Sequence, residues 1–240
     1  MIKLQFTSYR DLKSTLSTNC DLSTVFIIKN FLSFIEVEKV LIFAKKVISN
    51  ASNFSYQDLN IVNYNVRRDV RPLGQKVKGI SQNIFIKPDF ELNVEIYNVY
   101  IKCAELRYQC LNQYSDNILH TSNTPFEVVK NLGVPVFDIR HYPQVSGHLD
   151  PHTDPPSNQG WVGMVFLHNS CPSDTGLYFD LLGEKYFLDR FLEPGDAYIF
   201  NPNLMHGVDN TYGKTYDIEN IDWDLGKGRW AVFCPWLTPS

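Results

Sequence analysis

Residues 176–208 read GLYFDLLGEKYFLDRFLEPGDAYIFNPNLMHGV. Short runs rich in Leu, Ile, Phe and Tyr are cut every few residues by Gly, Pro, Asn or Asp. Runs of this length, closed by turn residues, form β-strands rather than helices. The spacing predicts strands over 176–181, 184–190, 196–201 and 205–209, with Pro194-Gly195-Asp196 turning the chain ahead of Ala197–Phe200. Working outward, the same texture extends back to 134–142 and 161–168 and forward to 229–236. Strands this short and numerous, with no helix between them, predict a sandwich or jelly roll.

Upstream the pattern changes. Ser33 and Glu36 form an S-x-x-E capping box, followed by Val37, Val40, Leu41, Ala44, Val47 and Ile48 at helical spacing, which predicts a helix to Asn50. A second helix is expected from just after Pro88-Asp89 to about Gln113, with Leu92, Ile96, Val99, Cys103, Leu106 and Cys110 on its apolar face. The basic stretch between them (Arg67, Arg68, Arg71, Lys76 and Lys78) reads as a solvated face, or as a guide for an anionic substrate. The expected organisation is one domain over 1–240: a helical N-terminal part, 1–115, packed outside a jelly-roll catalytic core, 134–240.

Composition narrows the functional classes. The 240 residues carry a net charge of −4, with 44% hydrophobic and 20% charged residues, the balance of a globular chain with a real core. A pI near 5.8 argues against a protein built to grip nucleic acid. No apolar run approaches the roughly 18 residues of a membrane span. The five cysteines, at positions 20, 103, 110, 171 and 234, form no C-x-x-C pair, so neither a thiolate zinc cluster nor a disulfide framework is indicated. The N-terminus shows no secretory pattern, and a cytoplasmic location with free thiols is the expectation.

The chemistry concentrates in His148-Leu149-Asp150-Pro151-His152-Thr153-Asp154, in Leu204-Met205-His206-Gly207-Val208, and in Gly228-Arg229-Trp230-Ala231-Val232-Phe233. An H-x-D pair sets an imidazole and a carboxylate on one side of an extended segment. A second histidine from a distant strand completes two His and one carboxylate on one face of a metal, the arrangement that leaves positions open at Fe(II). His148-x-Asp150 overlaps His152-x-Asp154 in the same strand phase, so phase alone leaves both pairs standing.

Residues 138–236 resemble the double-stranded β-helix core of the Fe(II)- and 2-oxoglutarate-dependent dioxygenases. Tyr142-Pro143 ahead of Pro151-His152-Thr153-Asp154 is similar to the prolyl-hydroxylase-like branch, and Gly176-Leu177-Tyr178-Phe179 and the run Glu193–Val208 match as well. The resemblance selects the later pair. It implies His152, Asp154 and His206 as ligands of Fe(II), and O2 and 2-oxoglutarate as co-substrates, with succinate and CO2 released. It further implies Arg229 as the bidentate partner of the co-substrate's distal carboxylate, a task for a planar fork, and Tyr142 as a donor to the same molecule. An intact Asp154 argues for hydroxylation or another oxidation rather than halogenation.

Other residues are less determined. Arg140 is in phase with Tyr142; it reads either as a substrate-carboxylate ligand or as a strand-pairing residue. Asn201 reads as a substrate contact or a turn former. His141 has the outward phase, His168 reads as structural, and His120 as solvent-exposed. Trp161 and Trp230 read as core. Residues 209–228, with Asp217, Glu219, Asp222 and Asp224, read as an inserted acidic loop on the surface or as a lid. The expected substrate is a small molecule such as an amino acid or biosynthetic intermediate. A prolyl-type hydroxylase of protein or peptide, a cupin-like metalloenzyme that needs no 2-oxo acid, and a silent binding module are the alternatives.

Overall fold

The computed structural model describes residues 1–19, 21–50, 59–61, 64–69, 72–73, 77–86, 94–110, 137–154, 160–211 and 221–234. In chain order the elements are β1 (Lys3–Phe6), α1 (Leu12–Thr18), β2 (Thr24–Ile28), α2 (Phe34–Asn50), β3 (Leu59–Ile61), β4 (Tyr64–Asp69), β5 (Pro72–Leu73), β6 (Val77–Ile86) and α3 (Val94–Cys110). Then come β7 (Phe137–Tyr142), β8 (His148–His152), β9 (Val162–Asn169), β10 (Gly176–Leu181), β11 (Glu184–Phe187), β12 (Ala197–Phe200), β13 (His206–Asp209) and β14 (Arg229–Phe233).

The strands follow one hydrogen-bonded path, β1-β2-β12-β9-β14-β7-β6-β8-β13-β10-β11. The long β6 serves both ends of that path: Gln82–Ile86 pair with β7, while Gly79 and Ile80 pair with β8. The sheet curls there, so that β8, β13 and β10 face β12, β9, β14 and β7 as the two layers of a jelly roll, as expected.

Period-two alternation sorts the side chains. Val25 and Ile27, Met164 and Phe166, Tyr198 and Phe200, and Ala231 and Phe233 point between the layers, where they meet Leu149, Leu177, Phe179 and Val208. Their neighbours Phe26, Ile28, Val165, Leu167, Ile199, Trp230 and Val232 point outward and are covered by the helices. Val37, Val40, Ala44, Val47 and Ile48 of α2, and Ile96, Val99, Cys103, Leu106 and Cys110 of α3, supply that cover. The expected helix faces are thus the packed ones.

The capping box forms as read. Ser33 N–H and Oγ both donate to Glu36 Oε2 (2.7 and 2.8 Å), and Glu36 N–H returns to Ser33 Oγ at 3.3 Å. Glu36 also receives Lys102 Nζ of α3 at 2.5 Å, which ties the two helices together. Ser33→Ala is expected to cost about 1 kcal/mol, read as a shift of the urea midpoint at constant slope; an unmoved midpoint would show the cap to be energetically idle.

The Pro194-Gly195-Asp196 turn holds β2 and β12 in place. Asp196 is fully buried and accepts from Asn30 N–H (3.0 Å), Glu193 N–H (2.8 Å) and Lys29 Nζ (2.7 Å). Gly195 has φ +97°, and a Cβ there would lie 2.2 Å from the Leu32 carbonyl oxygen, so only glycine closes this turn.

The N-terminal part departs from the helical expectation. It contributes β1 and β2 to one end of the sheet and β6 to its middle. Thr24–Ile28 is buried at every position, so it carries no alternation to read. In β6, Ser81, Gln82 and Asn83 are polar residues that the fold nonetheless buries. The strand expected over 184–190 stops at Phe187, and a 3-10 turn at Asp189–Phe191 carries Asp189 inward. The stretch 134–136, the ends of the second expected helix, Cys20, Arg71, Lys76, His120 and most of the acidic loop (212–220) lie outside the described residues.

Candidate metal centre

His152 ends β8 and His206 begins β13, and the antiparallel register sets them directly opposite each other. Their rings lie 4.5 Å apart between centroids. Asp154 follows β8, and its N–H donates to the Pro202 carbonyl at 2.9 Å, which anchors it beside the loop that leads into His206. His152 Nε2 is 3.8 Å from Asp154 Oδ1, and His206 Nε2 is 3.4 Å from Asp154 Oδ2. One ligand atom from each residue falls within a 4.8 Å cluster.

The tautomers are set by the backbone. His152 Nδ1 lies 2.8 Å from the Asp150 carbonyl oxygen, and His206 Nδ1 lies 2.8 Å from that of Leu204. A carbonyl only accepts, so each Nδ1 carries the proton and each Nε2 presents its lone pair to the shared centre. Burial pushes the His206 imidazole down to about 3, with the neighbouring His152 adding to the effect, so the ring is neutral. Burial raises Asp154 against the pull of His152, Arg140 and Arg107. Its Oδ2 is buried and accepts no hydrogen bond. A buried carboxylate oxygen without a donor, facing two imidazole lone pairs, is chemically suited to a divalent cation.

The centre opens on a cavity of about 330 Å³. Leu149, Met164, Leu177, Val208 and Phe233 give it apolar walls. Arg140 and Tyr142, both from β7, bring the polar groups. Arg140 Nε and Nη2 donate to Asp138 Oδ2 at 2.8 and 2.7 Å, and the guanidinium lies over the Phe233 ring, 4.4 Å from its centroid. Burial opposes the Arg140 charge, but the Asp138 carboxylate outweighs it and the group stays firmly protonated.

Arg229 is placed differently from its expected role. It is fully buried and its fork is already filled: Nε and Nη2 donate to Asp189 Oδ2 and Oδ1 at 2.7 and 3.2 Å. Nη2 also donates to the Tyr198 hydroxyl at 2.8 Å, and that hydroxyl donates to the sulfur of Met164 at 3.3 Å. The bidentate carboxylate read as belonging to a co-substrate comes from the chain itself. Arg229 is not among the described residues that line the cavity; Tyr198 and Met164, and Asp189 with Leu177, connect it to the wall, and its Nη1 is buried without a hydrogen-bond partner.

No protein-family model matches the sequence, and no curated protein matches it. Solved structures do. A prolyl-4-hydroxylase from Pseudomonas putida aligns over 95% of this chain and 97% of its own, with a TM-score of 0.54 and 13% identity. A prolyl hydroxylase from Trichoplax adhaerens, solved with a peptide of the hypoxia-inducible-factor oxygen-degradation domain, aligns over 95% of this chain and 88% of its own. Its TM-score is 0.53 and its identity 15%. The chain has the prolyl-hydroxylase fold. Within that fold, β8 and β13 are the strands that meet at the centre, and β14 is the strand that carries Arg229.

The prolyl-hydroxylase fold brings His152, Asp154, His206, Tyr142 and Arg140 to one cavity. It does not bring Asn201 there. The Asn201 side chain accepts Asn203 N–H at 2.9 Å and its carbonyl accepts Leu204 N–H at 3.0 Å, so its substrate reading gives way to turn formation. The rival pair lies apart: among the described residues the cluster is made by His152, Asp154 and His206, neither His148 nor Asp150 lines the cavity, and Asp150 accepts Lys78 N–H at 3.2 Å. His141 stacks on Trp230 on the outer layer, 4.4 Å between centroids. Asp138 and Asp189 were not singled out from the sequence. Asp138 had a readable signal, since it sits two residues before Arg140 on the same strand face. Asp189 had none.

Proposed function

We propose that the chain is a non-haem Fe(II)- and 2-oxoglutarate-dependent dioxygenase that hydroxylates, or otherwise oxidises, a small molecule such as an amino acid or biosynthetic intermediate. The observation that carries this reading is the convergence of His152, Asp154 and His206 within 4.8 Å at the mouth of a cavity. Those three residues would hold the iron. Bound there, the iron supplies activation of O2 coupled to decarboxylation of 2-oxoglutarate; O2, 2-oxoglutarate and substrate give succinate, CO2 and an oxygenated product.

The chain's own contribution is placement. Asp150 and Leu204 carbonyls hold both imidazoles in the ligating tautomer. Tyr142 is buried at the cavity, suited to donate its phenolic proton to the co-substrate. The orphaned Nη1 of Arg229 is the donor remaining for the distal carboxylate. The apolar walls exclude water around the reacting centre. A cavity of about 330 Å³ is at the small end of ligand sites, roughly 300–1,000 Å³, and suits a substrate whose reacting part is small.

One observation favours a second reading. Asp189 already neutralises Arg229, which suits a metalloenzyme of the same shape that uses no 2-oxo acid. An anaerobic absorption titration with Fe(II), then 2-oxoglutarate, separates the two. A visible band that requires both additions is the expected result. Iron binding without such a band on adding 2-oxoglutarate would reject the first reading in favour of the second.

A further inference from the structure

Arg140 is an anchored cation in a cavity whose other polar side chains are Tyr142 and the cluster of His152, Asp154 and His206. Among the described residues that line the cavity it is the only arginine or lysine. Asp138 holds one edge of its fork from two positions back on the same strand, and Phe233 of β14 supports its flat face. Two buried supports of this kind leave the guanidinium with one orientation, at the wall shared with the metal ligands. The Arg140 side chain keeps 21% of its surface exposed, whereas that of Asp138 keeps 4%. A surface arginine needs no such mounting, and a purely structural one is not left open to a ligand-sized space.

A planar, anchored guanidinium matches a carboxylate better than a spherical or neutral group. The distal carboxylate of 2-oxoglutarate has its own proposed donor in Arg229, on the far side of Tyr198 and Met164. We propose that Arg140 receives a carboxylate of the substrate to be oxidised, so that the enzyme acts on a small carboxylic acid whose hydrocarbon part lies along Phe233 and Leu177. This assignment rests on the dioxygenase reading for its substrate. Its chemistry, a carboxylate at Arg140, is shared with the co-substrate, and the test separates the two sources.

The full chain is used in two titrations. In the first, metal-free protein is titrated with isobutyrate and with the neutral isobutyramide, followed by broadening of the probe's NMR lines, so that no metal competes for the carboxylate. In the second, anaerobic Fe(II)-loaded protein is titrated with 2-oxoglutarate in the visible region. Arg140→Gln leaves Asp138 buried without its cation, so the paired variant Asp138→Asn/Arg140→Gln is the folding control. Wild type is expected to prefer isobutyrate over isobutyramide by tenfold or more. Both variants are expected to lose that preference and to keep the 2-oxoglutarate midpoint within twofold.

Retention of the preference in a folded paired variant, or its absence from wild type, overturns the proposal. A tenfold weakening of 2-oxoglutarate in the variants also overturns it, because the carboxylate at Arg140 is then the co-substrate's. If no protein develops the visible band, the dioxygenase reading fails, while the isobutyrate titration still decides whether Arg140 is a carboxylate receptor.

Discussion

His206→Ala is expected to abolish substrate oxidation and to weaken Fe(II) binding by about 100-fold or more. The magnitude follows from position. Loss of a group that merely orients a metal ligand costs about 10–100-fold, and His206 is itself a ligand in this assignment. It sits opposite His152 in the strand register, with its Nε2 3.4 Å from Asp154. Calorimetric titration of metal into wild type and variant reads the effect. A variant that binds within threefold of wild type would place the metal elsewhere.

The same substitution has a second signature that does not depend on metal. The folded imidazole of His206 takes a proton only near 3, against an ordinary value of 6.5, because it is buried. Between those values the unfolded chain binds the extra proton, so the metal-free fold loses stability as pH falls through that range. His206→Ala removes this term. The variant's urea midpoint is expected to fall less than that of wild type between pH 6.5 and pH 4. An identical slope in the two proteins would mean that His206 is not a buried neutral group.

The legible parts of this fold are those in which one face of a strand differs from the other, or in which punctuation is dense. From β7 onward both hold, and an H-x-D pair and a later histidine at strand ends marked the candidates, while the family resemblance chose His152-x-Asp154 over His148-x-Asp150. β2 escaped because it is buried on both faces, so TVFII shows no period. β6 escaped for the opposite reason: it buries Ser81, Gln82 and Asn83, and buried polar residues look like surface in a sequence. Arg229 shows a different limit. Its place at the start of a strand was readable, but its partner was not. Asp189 lies 40 positions away in sequence and enters through a 3-10 turn that interrupts an expected strand. Periodicity reports which way a side chain points, not which distant charge meets it.

That partner yields the other large expectation. Asp189→Asn should destabilise the fold by about 3–5 kcal/mol, the usual cost of leaving one member of a buried ion pair alone. Both side chains are fully buried. Asp189 also accepts Asn169 Nδ2 at 2.8 Å and Leu177 N–H at 3.3 Å, so its two oxygens serve four donor groups. An amide in its place presents one acceptor oxygen and an NH2 that faces donors. Urea unfolding of the metal-free variant measures the loss; a change below about 1 kcal/mol, the scale of an exposed pair, would contradict the buried geometry. The variant also tests what Arg229 is for. With Asp189 neutralised, the guanidinium charge is uncompensated, and a ligand carboxylate that reaches Nη1 becomes its counter-ion. If 2-oxoglutarate binds at Arg229, adding it to the Fe(II)-loaded variant should restore stability by more than it does in wild type, since a ligand's stabilisation rises with the logarithm of its affinity for the folded state. Equal stabilisation of both proteins would show that Arg229 belongs to the fold alone, and that co-substrate recognition must be sought among the residues that line the cavity.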